Sequence, residues 1–238
     1  MVGNMAAFAE ADPWKLAAAE AAAALVEDGM TVGLGSGSTA ALAVRALARR
    51  VSQGLRITAI PTSERTAELA RRLGIPLSSL TDRGGVALTI DGADEVELGT
   101  LDLIKGLGGA LLREKLVAAA TDRLVIVADE SKLVVRLAAE SRPLPVEVAT
   151  FAWQTTGKRL ESLGAQTTLR WDTDGRPFVT DQGNYILDCR FRSVPRAREL
   201  QQRLDATVGV VEHGLFLGMT WQVMVGGSWG VRILGGER

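Results

Sequence analysis

Met30-Thr31-Val32-Gly33-Leu34-Gly35-Ser36-Gly37-Ser38-Thr39 decides how the fold is read. Met30 to Leu34 is an apolar run of strand length. The Gly-rich turn after it opens into a segment, about Ser38 to Val51, whose Leu42, Ala46 and Leu47 recur at helical spacing. Strand, glycine loop and helix in that order form the unit of a parallel sheet. The unit recurs downstream: Leu55 to Ile60 predicts a strand and Ser63 to Leu73 a helix, then Gly85 to Ile90 a strand, a second Gly-rich loop, and a helix over Ala110 to Ala120. Leu124 to Ala128 predicts a fourth strand. Upstream, Asp12 as a cap and Pro13 at the first position start a helix of about Pro13 to Asp28, with Gly29 as its stop. Short apolar runs alternating with helices predict a parallel sheet covered on both faces.

From about Arg142 the punctuation changes, with Pro143 and Pro145 marking a boundary. Val146 to Val148 begins a second module, and Thr150 to Leu163 predicts a helix stopped by Gly164. Gln166 to Trp171, Pro177 to Thr180 and Tyr185 to Arg190 read as strands joined by turns at Asp174-Gly175 and Gly183-Asn184. A helix over Pro195 to Leu204 and an extended Val208 to Glu212 follow. That order suits a small split α/β sandwich. Val223 to Gly226 and Val231 to Leu234 return the chain to the first sheet. The expectation is therefore an α/β chain with a Rossmann-like, parallel-sheet main domain, residues 1–141 together with 213–238. A smaller α+β domain of ferredoxin-like order, residues 142–212, is inserted near the C-terminal end.

The 238 residues are 47% hydrophobic and 23% charged, the composition of a folded globular protein. Lys and Arg number 27 against 28 Asp and Glu, so no basic excess is available to track a nucleic acid or an anionic membrane. The five Trp residues are not interleaved with basic runs, which favours packing over base stacking. Cys189 has no partner for a disulfide, and one Cys with one His, His213, cannot supply the usual zinc, copper or iron ligand sets. Carboxylate-bound magnesium stays open. Met1 to Asp12 carries Glu10 and Asp12 and no basic residue, unlike a secretory or transit leader, so a cytoplasmic location is expected. Leu16 to Val26 is broken by Glu20 and too short to span a bilayer.

Polar clusters follow each expected strand of the first sheet, where ligands of parallel sheets bind. Gly33 to Thr39 suits a phosphate, since glycines allow close backbone approach and the N–H groups and hydroxyls of Ser36, Ser38 and Thr39 are donors. It also suits a bare strand-to-helix turn. It lacks the Gly-Lys-Ser/Thr ending of a P-loop and fits a dinucleotide fingerprint only loosely. Pro61 to Thr66 is the second cluster. Asp91-Gly92-Ala93-Asp94 is the third; its paired carboxylates suit hydroxyl binding, proton transfer or magnesium, or an Asx turn with a helix cap. Asp129-Glu130-Ser131-Lys132 is the fourth. Lys105 precedes Gly106, Leu107, Gly108 and Gly109, and Glu114 lies about one turn into the next helix. Its carboxylate can lean back onto that loop as a base, or belong with Arg113 and Lys115 to a solvated face.

Taken together, Gly33 to Thr39, Asp91 to Glu95, Ile104 to Lys115 and Ala128 to Lys132 resemble, in order, the motifs of the type A ribose-5-phosphate isomerase family. Pro143 to Val148, Val179 to Asn184 and Gly214-Leu215-Phe216 extend the likeness over nearly the whole chain. The resemblance implies an aldose–ketose isomerase that interconverts D-ribose 5-phosphate and D-ribulose 5-phosphate in the pentose phosphate pathway. It implies no cofactor and a homodimer or homotetramer. By position, Glu114 matches the family's catalytic base, and Lys105, Asp91 and Asp94 its active-site polar residues. Ser36, Gly37, Ser38, Thr39, Asp91, Gly92, Ala93, Asp94, Lys105, Gly106, Leu107, Gly108 and Lys132 match its substrate-binding segments. Ser36 stands where Thr is common, Leu107 interrupts a run of glycines, and Thr220-Trp221 stand where Ala-Asp is frequent.

Two other functions compete. A non-catalytic sugar-phosphate sensor would not need Lys105 and Glu114 together. A nucleotide-dependent oxidoreductase would carry an acidic residue near Gln53 to Thr58, and none is there.

Overall fold

A computed structural model describes residues 12–83, 85–138, 142–191 and 196–236. The acidic lead before Asp12 and the expected helix start at Pro195 lie outside them. Asp12 accepts a hydrogen bond from the Trp14 N–H and, with Pro13 behind it, starts α1 (Pro13–Ala24). The chain continues through β1 (Thr31–Leu34), α2 (Ser38–Ser52), β2 (Thr58–Pro61), α3 (Glu64–Arg72), the single turn α4 (Leu80–Arg83) and β3 (Leu88–Gly92). A hairpin of β4 (Glu95–Glu97) and β5 (Leu103–Ile104) precedes α5 (Leu111–Ala119), β6 (Leu124–Asp129) and β7 (Leu133–Val134). Then come β8 (Leu144–Val148), α6 (Trp153–Ser162), β9 (Ala165–Leu169), β10 (Tyr185–Phe191), α7 (Ala197–Asp205) and β11 (Val210–His213). The final strands are β12 (Leu215–Phe216), β13 (Thr220–Gly227) and β14 (Gly230–Gly235).

The main sheet has the order β14-β13-β6-β3-β1-β2. All its pairs are parallel except β13 with β14 at the edge. Every residue of β6 is buried, as a strand covered on both faces requires. Ala18, Ala19, Ala22 and Ala23 of α1 and Ala43, Val44 and Leu47 of α2 share one core with β1 and β3, and the small side chains let the two helices pack closely. The expected return of the chain is found: β13 and β14 complete the first sheet.

The smaller antiparallel sheet has the order β11-β8-β10-β9. With α6 after β8 and α7 after β10, this is the split βαββαβ arrangement of a ferredoxin-like unit. A third sheet, β12-β5-β4-β7, is built from short strands interspersed along the chain with those of the other two sheets and was not expected from sequence. Two expectations fail. α1 ends at Ala24, capped by Leu25, and Gly29 closes the turn that follows instead of stopping the helix. Pro177 to Thr180 forms single bridges, Trp171 with Pro177 and Val179 with Tyr185, and no strand. Pro177 has no N–H for a ladder, and the Thr180 N–H turns into its own loop to the Asn184 carbonyl.

Candidate active site

The chain leaves β1 toward β2 on one side and leaves β3 toward β6 on the other. The carboxyl ends of β1 and β3 therefore flank the crevice where the winding reverses, the place ligands occupy in open parallel sheets. Asp91, the fourth residue of β3, closes this crevice from below. Its Oδ1 accepts the N–H groups of Ser36 (3.1 Å) and Gly92 (2.7 Å). A Cβ on Gly35 would lie 2.1 Å from that oxygen and 2.4 Å from the Asp91 Cα, so only glycine lets the two loops meet.

The β4–β5 hairpin explains how Asp94 and Lys105 come together although ten residues separate them. Asp94 immediately precedes β4 and Lys105 immediately follows β5, and Glu95 is paired with Ile104. The Asp94 N–H donates to the Ile104 carbonyl, and its Oδ2 accepts the Leu107 N–H at 2.9 Å. Lys105 then points back into the crevice. Its Nζ lies 3.0 Å from Asp91 Oδ2 and 3.3 Å from Glu114 Oε1, and donates to the Gly92 carbonyl at 2.5 Å.

Asp91, Lys105 and Glu114 are exposed by only 1%, 3% and 5%, so two carboxylates and one ammonium share a nearly dry space. Burial pushes Glu114 up to about 8. Lys105 pulls against that shift, and the nearby Asp91 adds to it. Burial also raises Asp91, opposed by Lys105 and the two N–H groups. Burial alone would lower the Lys105 ammonium, but Asp91 and then Glu114 outweigh it and hold the group above its ordinary range. Glu114 Oε2 is buried without a hydrogen-bond partner among the described residues. A buried carboxylate oxygen left bare is costly unless something else takes it up.

These groups face a cleft of about 560 Å³. Of the residues expected from sequence, Ser36 to Thr39, Gly92, Ala93, Asp94, Lys105, Gly106, Gly108, Glu114 and Lys132 line it. Asp91 stands behind the lining. Leu107 does not line the cleft: its side chain is 41% exposed, and only its backbone engages Asp94. Ser36 Oγ lies within 2.8–3.2 Å of the hydroxyls of Thr62, Ser63 and Thr66, so the cluster after β2 joins the site through this serine.

Sequence reading did not place Arg45, Arg65, Arg72, Phe178 or Asp181 at the cleft. Phe178 comes from the segment between β9 and β10, and a Cβ on Gly109 would lie 2.4 Å from its ring. Beside it, Arg170 donates to the Gly106 and Leu107 carbonyls at 2.9 and 3.0 Å and is itself held by Asp188. Cys189 and His213 lie elsewhere. Cys189 is buried in β10, where burial pushes its thiol up, and His213 contacts Lys115 and Asp205. Trp221 packs on the main core under Arg123, whose guanidinium is 5.3 Å from the ring. Among the described residues no group of three or more His, Cys, Asp or Glu side chains is placed to hold a metal ion, and no helix is long and apolar enough to cross a membrane.

The sequence model of the family described as ribose 5-phosphate isomerase A (phosphoriboisomerase A) matches residues 58–230. A protein of Synechococcus sp. (strain JA-3-3Ab) named ribose-5-phosphate isomerase A is 54% identical over 228 residues, 95% of this chain and 99% of that protein. The chain belongs to the ribose 5-phosphate isomerase A family. It is accordingly an aldose–ketose isomerase, and the family interconverts ribose 5-phosphate and ribulose 5-phosphate. The fold agrees. The structure of ribose 5-phosphate isomerase A from Methanocaldococcus jannaschii superposes with a TM-score of 0.90 at 41% identity, covering 94% of this chain and 98% of that one. A D-ribose-5-phosphate isomerase in complex with phospho-erythronic acid matches with the same TM-score and coverage at 34% identity.

Proposed function

We propose that Glu114 is the base that moves the substrate proton and that the Ser36–Thr39 loop holds the phosphate. The single observation that carries this is the buried, unpartnered Oε2 of Glu114 at the cleft, with its other oxygen fixed by Lys105. With ribose 5-phosphate opened to its aldehyde, the Glu114 carboxylate takes the proton on C2. The C–H electron pair forms the C1–C2 double bond, and the carbonyl electrons move onto O1, giving an enediolate. The O2–H proton passes to O1, Glu114 returns its own proton to C1 as the double-bond electrons take it up, and the carbonyl re-forms at C2. Lys105, held as an ammonium between Asp91 and Glu114, offsets the oxyanion charge that grows in between. Asp94, at the cleft wall, serves ring opening and proton movement among hydroxyls, with Asp91 behind it. N–H groups at the start of α2, the hydroxyls of Ser36, Ser38 and Thr39, and Lys132 anchor the phosphate, so that its binding energy aligns the reacting carbons.

The assay is direct: pure protein is given ribose 5-phosphate, and ketose formation is followed with and without a chelator across pH 6 to 9. Because Glu114 must be ionised to act and burial raises it to about 8, kcat/KM is expected to climb about tenfold per pH unit below that value and level off above it. Chelation is expected to change nothing, since the cation in the proposal is Lys105. A profile flat from pH 6 to 9 would remove the raised Glu114, and turnover lost to the chelator would bring in a metal.

The division into residues 1–141 with 213–238 and residues 142–212 belongs to the same reading. It is supported by the two sheets: every strand of the main sheet lies in the first range, and the strands of the smaller sheet lie in the second apart from His213 at the end of β11. So does assembly as a homodimer or homotetramer. The edge strand β14 leaves Val231 and Ile233 37% and 55% exposed beside Trp229, a surface suited to pairing with a second copy. Light scattering should give at least twice the 25.3 kDa chain mass, and a monomer at micromolar concentration would refute the assembly.

A further inference from the structure

Three cations at the mouth of the cleft have no partner among the described residues. Arg45 on α2 and Arg65 and Arg72 on α3 line it, all three exposed, and none makes an ion pair or side-chain hydrogen bond among the described residues. Their acidic neighbours are engaged elsewhere: Glu64 and Asp181 both face Arg113, at 2.7 and 3.8 Å, and Asp94 takes the Leu107 N–H. Glu68, exposed on α3, does not line the cleft.

The spacing shows what these side chains reach. On α2, Ser38, Ala41 and Arg45 follow one another at i, i+3 and i+7, and on α3, Arg65, Leu69 and Arg72 at i, i+4 and i+7; all six line the cleft. Two helix faces thus run outward from the hydroxyl-rich loop, each carrying guanidinium groups. Seven residues of helix place the Arg45 backbone about 10 Å from Ser38, about one screening length at 0.1 M salt. The formal net charge of the chain is −1, so the molecule as a whole does not attract an anion.

We propose that Arg45, Arg65 and Arg72 form an electrostatic funnel that captures the sugar phosphate dianion and directs it to the Ser36–Thr39 loop. The proposal rests on the reading above that the phosphate docks there. A local cluster of one sign at the mouth of a low-dielectric cleft raises the concentration and arrival rate of an opposite charge without touching it in the reacting complex. The arginines therefore act on capture, and the chemical step is left to Asp91, Asp94, Lys105 and Glu114.

The test neutralises the three positions, Arg45→Gln, Arg65→Gln and Arg72→Gln, singly and together. Turnover of ribose 5-phosphate and the dissociation constant of phospho-erythronate are measured at about 10 mM and about 200 mM salt, which bracket the screening range. For the triple variant, kcat is expected to be unchanged. At low salt, kcat/KM should fall and the dissociation constant rise about five- to tenfold, and the difference from the parent should disappear at high salt. Each single variant should show a fraction of the effect. Equal constants for parent and triple variant at low salt would overturn the funnel, as would a kcat falling in step with kcat/KM, which marks direct contact in the reacting complex. Ser38→Ala tests the underlying reading separately and should weaken phospho-erythronate similarly at both salts. If it does so while the triple variant is unchanged, only the funnel fails. If Ser38→Ala leaves binding intact, the phosphate docks elsewhere and the funnel loses its destination.

Discussion

Glu114→Gln is expected to yield a folded protein that still binds phospho-erythronate but no longer exchanges the substrate's C2 proton with deuterated solvent, with isomerisation falling by about 10²- to 10⁴-fold. The amide keeps the shape of the carboxyl group and its contact with the 3%-exposed Lys105, so the packing around α5 has no reason to change. What it loses is the capacity to take up a proton at the bare oxygen facing the cleft. The substitution also resembles the protonated Glu114 that prevails below pH 8, so stability at neutral pH should hardly move. Proton exchange by NMR together with ketose formation decides the matter. Parental rates in this variant would take Glu114 out of the chemistry.

Lys105→Met has the largest expected effect on stability. It leaves Asp91 and Glu114, 1% and 5% exposed, without the ammonium that lies 3.0 and 3.3 Å from them. Removing one partner of a buried ion cluster typically costs about 3–5 kcal/mol. The pH dependence has a definite sign. Both carboxyl groups already have raised values in the folded chain, so the folded state binds more protons than the unfolded one between the ordinary carboxyl range and about pH 8. Stability from these groups therefore falls as pH rises through that window, and without Lys105 it should fall more steeply. Urea midpoints at pH 5.5 and 8.5 are expected to differ more for Lys105→Met than for the parent. Identical differences would show that Lys105 is not the counter-charge. Turnover should be lost as well, with no cation left to offset the oxyanion.

The β1–α2 unit was legible in sequence because an apolar run and a glycine loop before a helical period signal the same thing at each level. The polar clusters were legible for a related reason, since parallel sheets gather their ligands at strand ends. The β4–β5 hairpin was not. Strands of three and two residues are too short to show a period, although Gly99 and Thr100 mark a turn between them. That hairpin brings Asp94 and Lys105 together, so the closeness of the two residues followed from the family resemblance and not from periodicity. Arg45, Arg65 and Arg72 stayed hidden because exposed arginines on amphipathic helices ordinarily belong to a solvated face. Phe178 and Arg170 had no local signal. The docking of the smaller sheet beside the Gly106–Gly109 loop brings Phe178 to the cleft and Arg170 onto the loop's carbonyls.

Arg170 makes the smaller sheet a mechanical support of the glycine loop beside the cleft. Anchored on Asp188 and gripping the carbonyls of Gly106 and Leu107, it is a strut across the turn that spaces Lys105 from Glu114. A chain shortened to residues 1–141 and 213–238 would still carry Asp91, Asp94, Lys105 and Glu114 but would lose this brace on the loop between the last two.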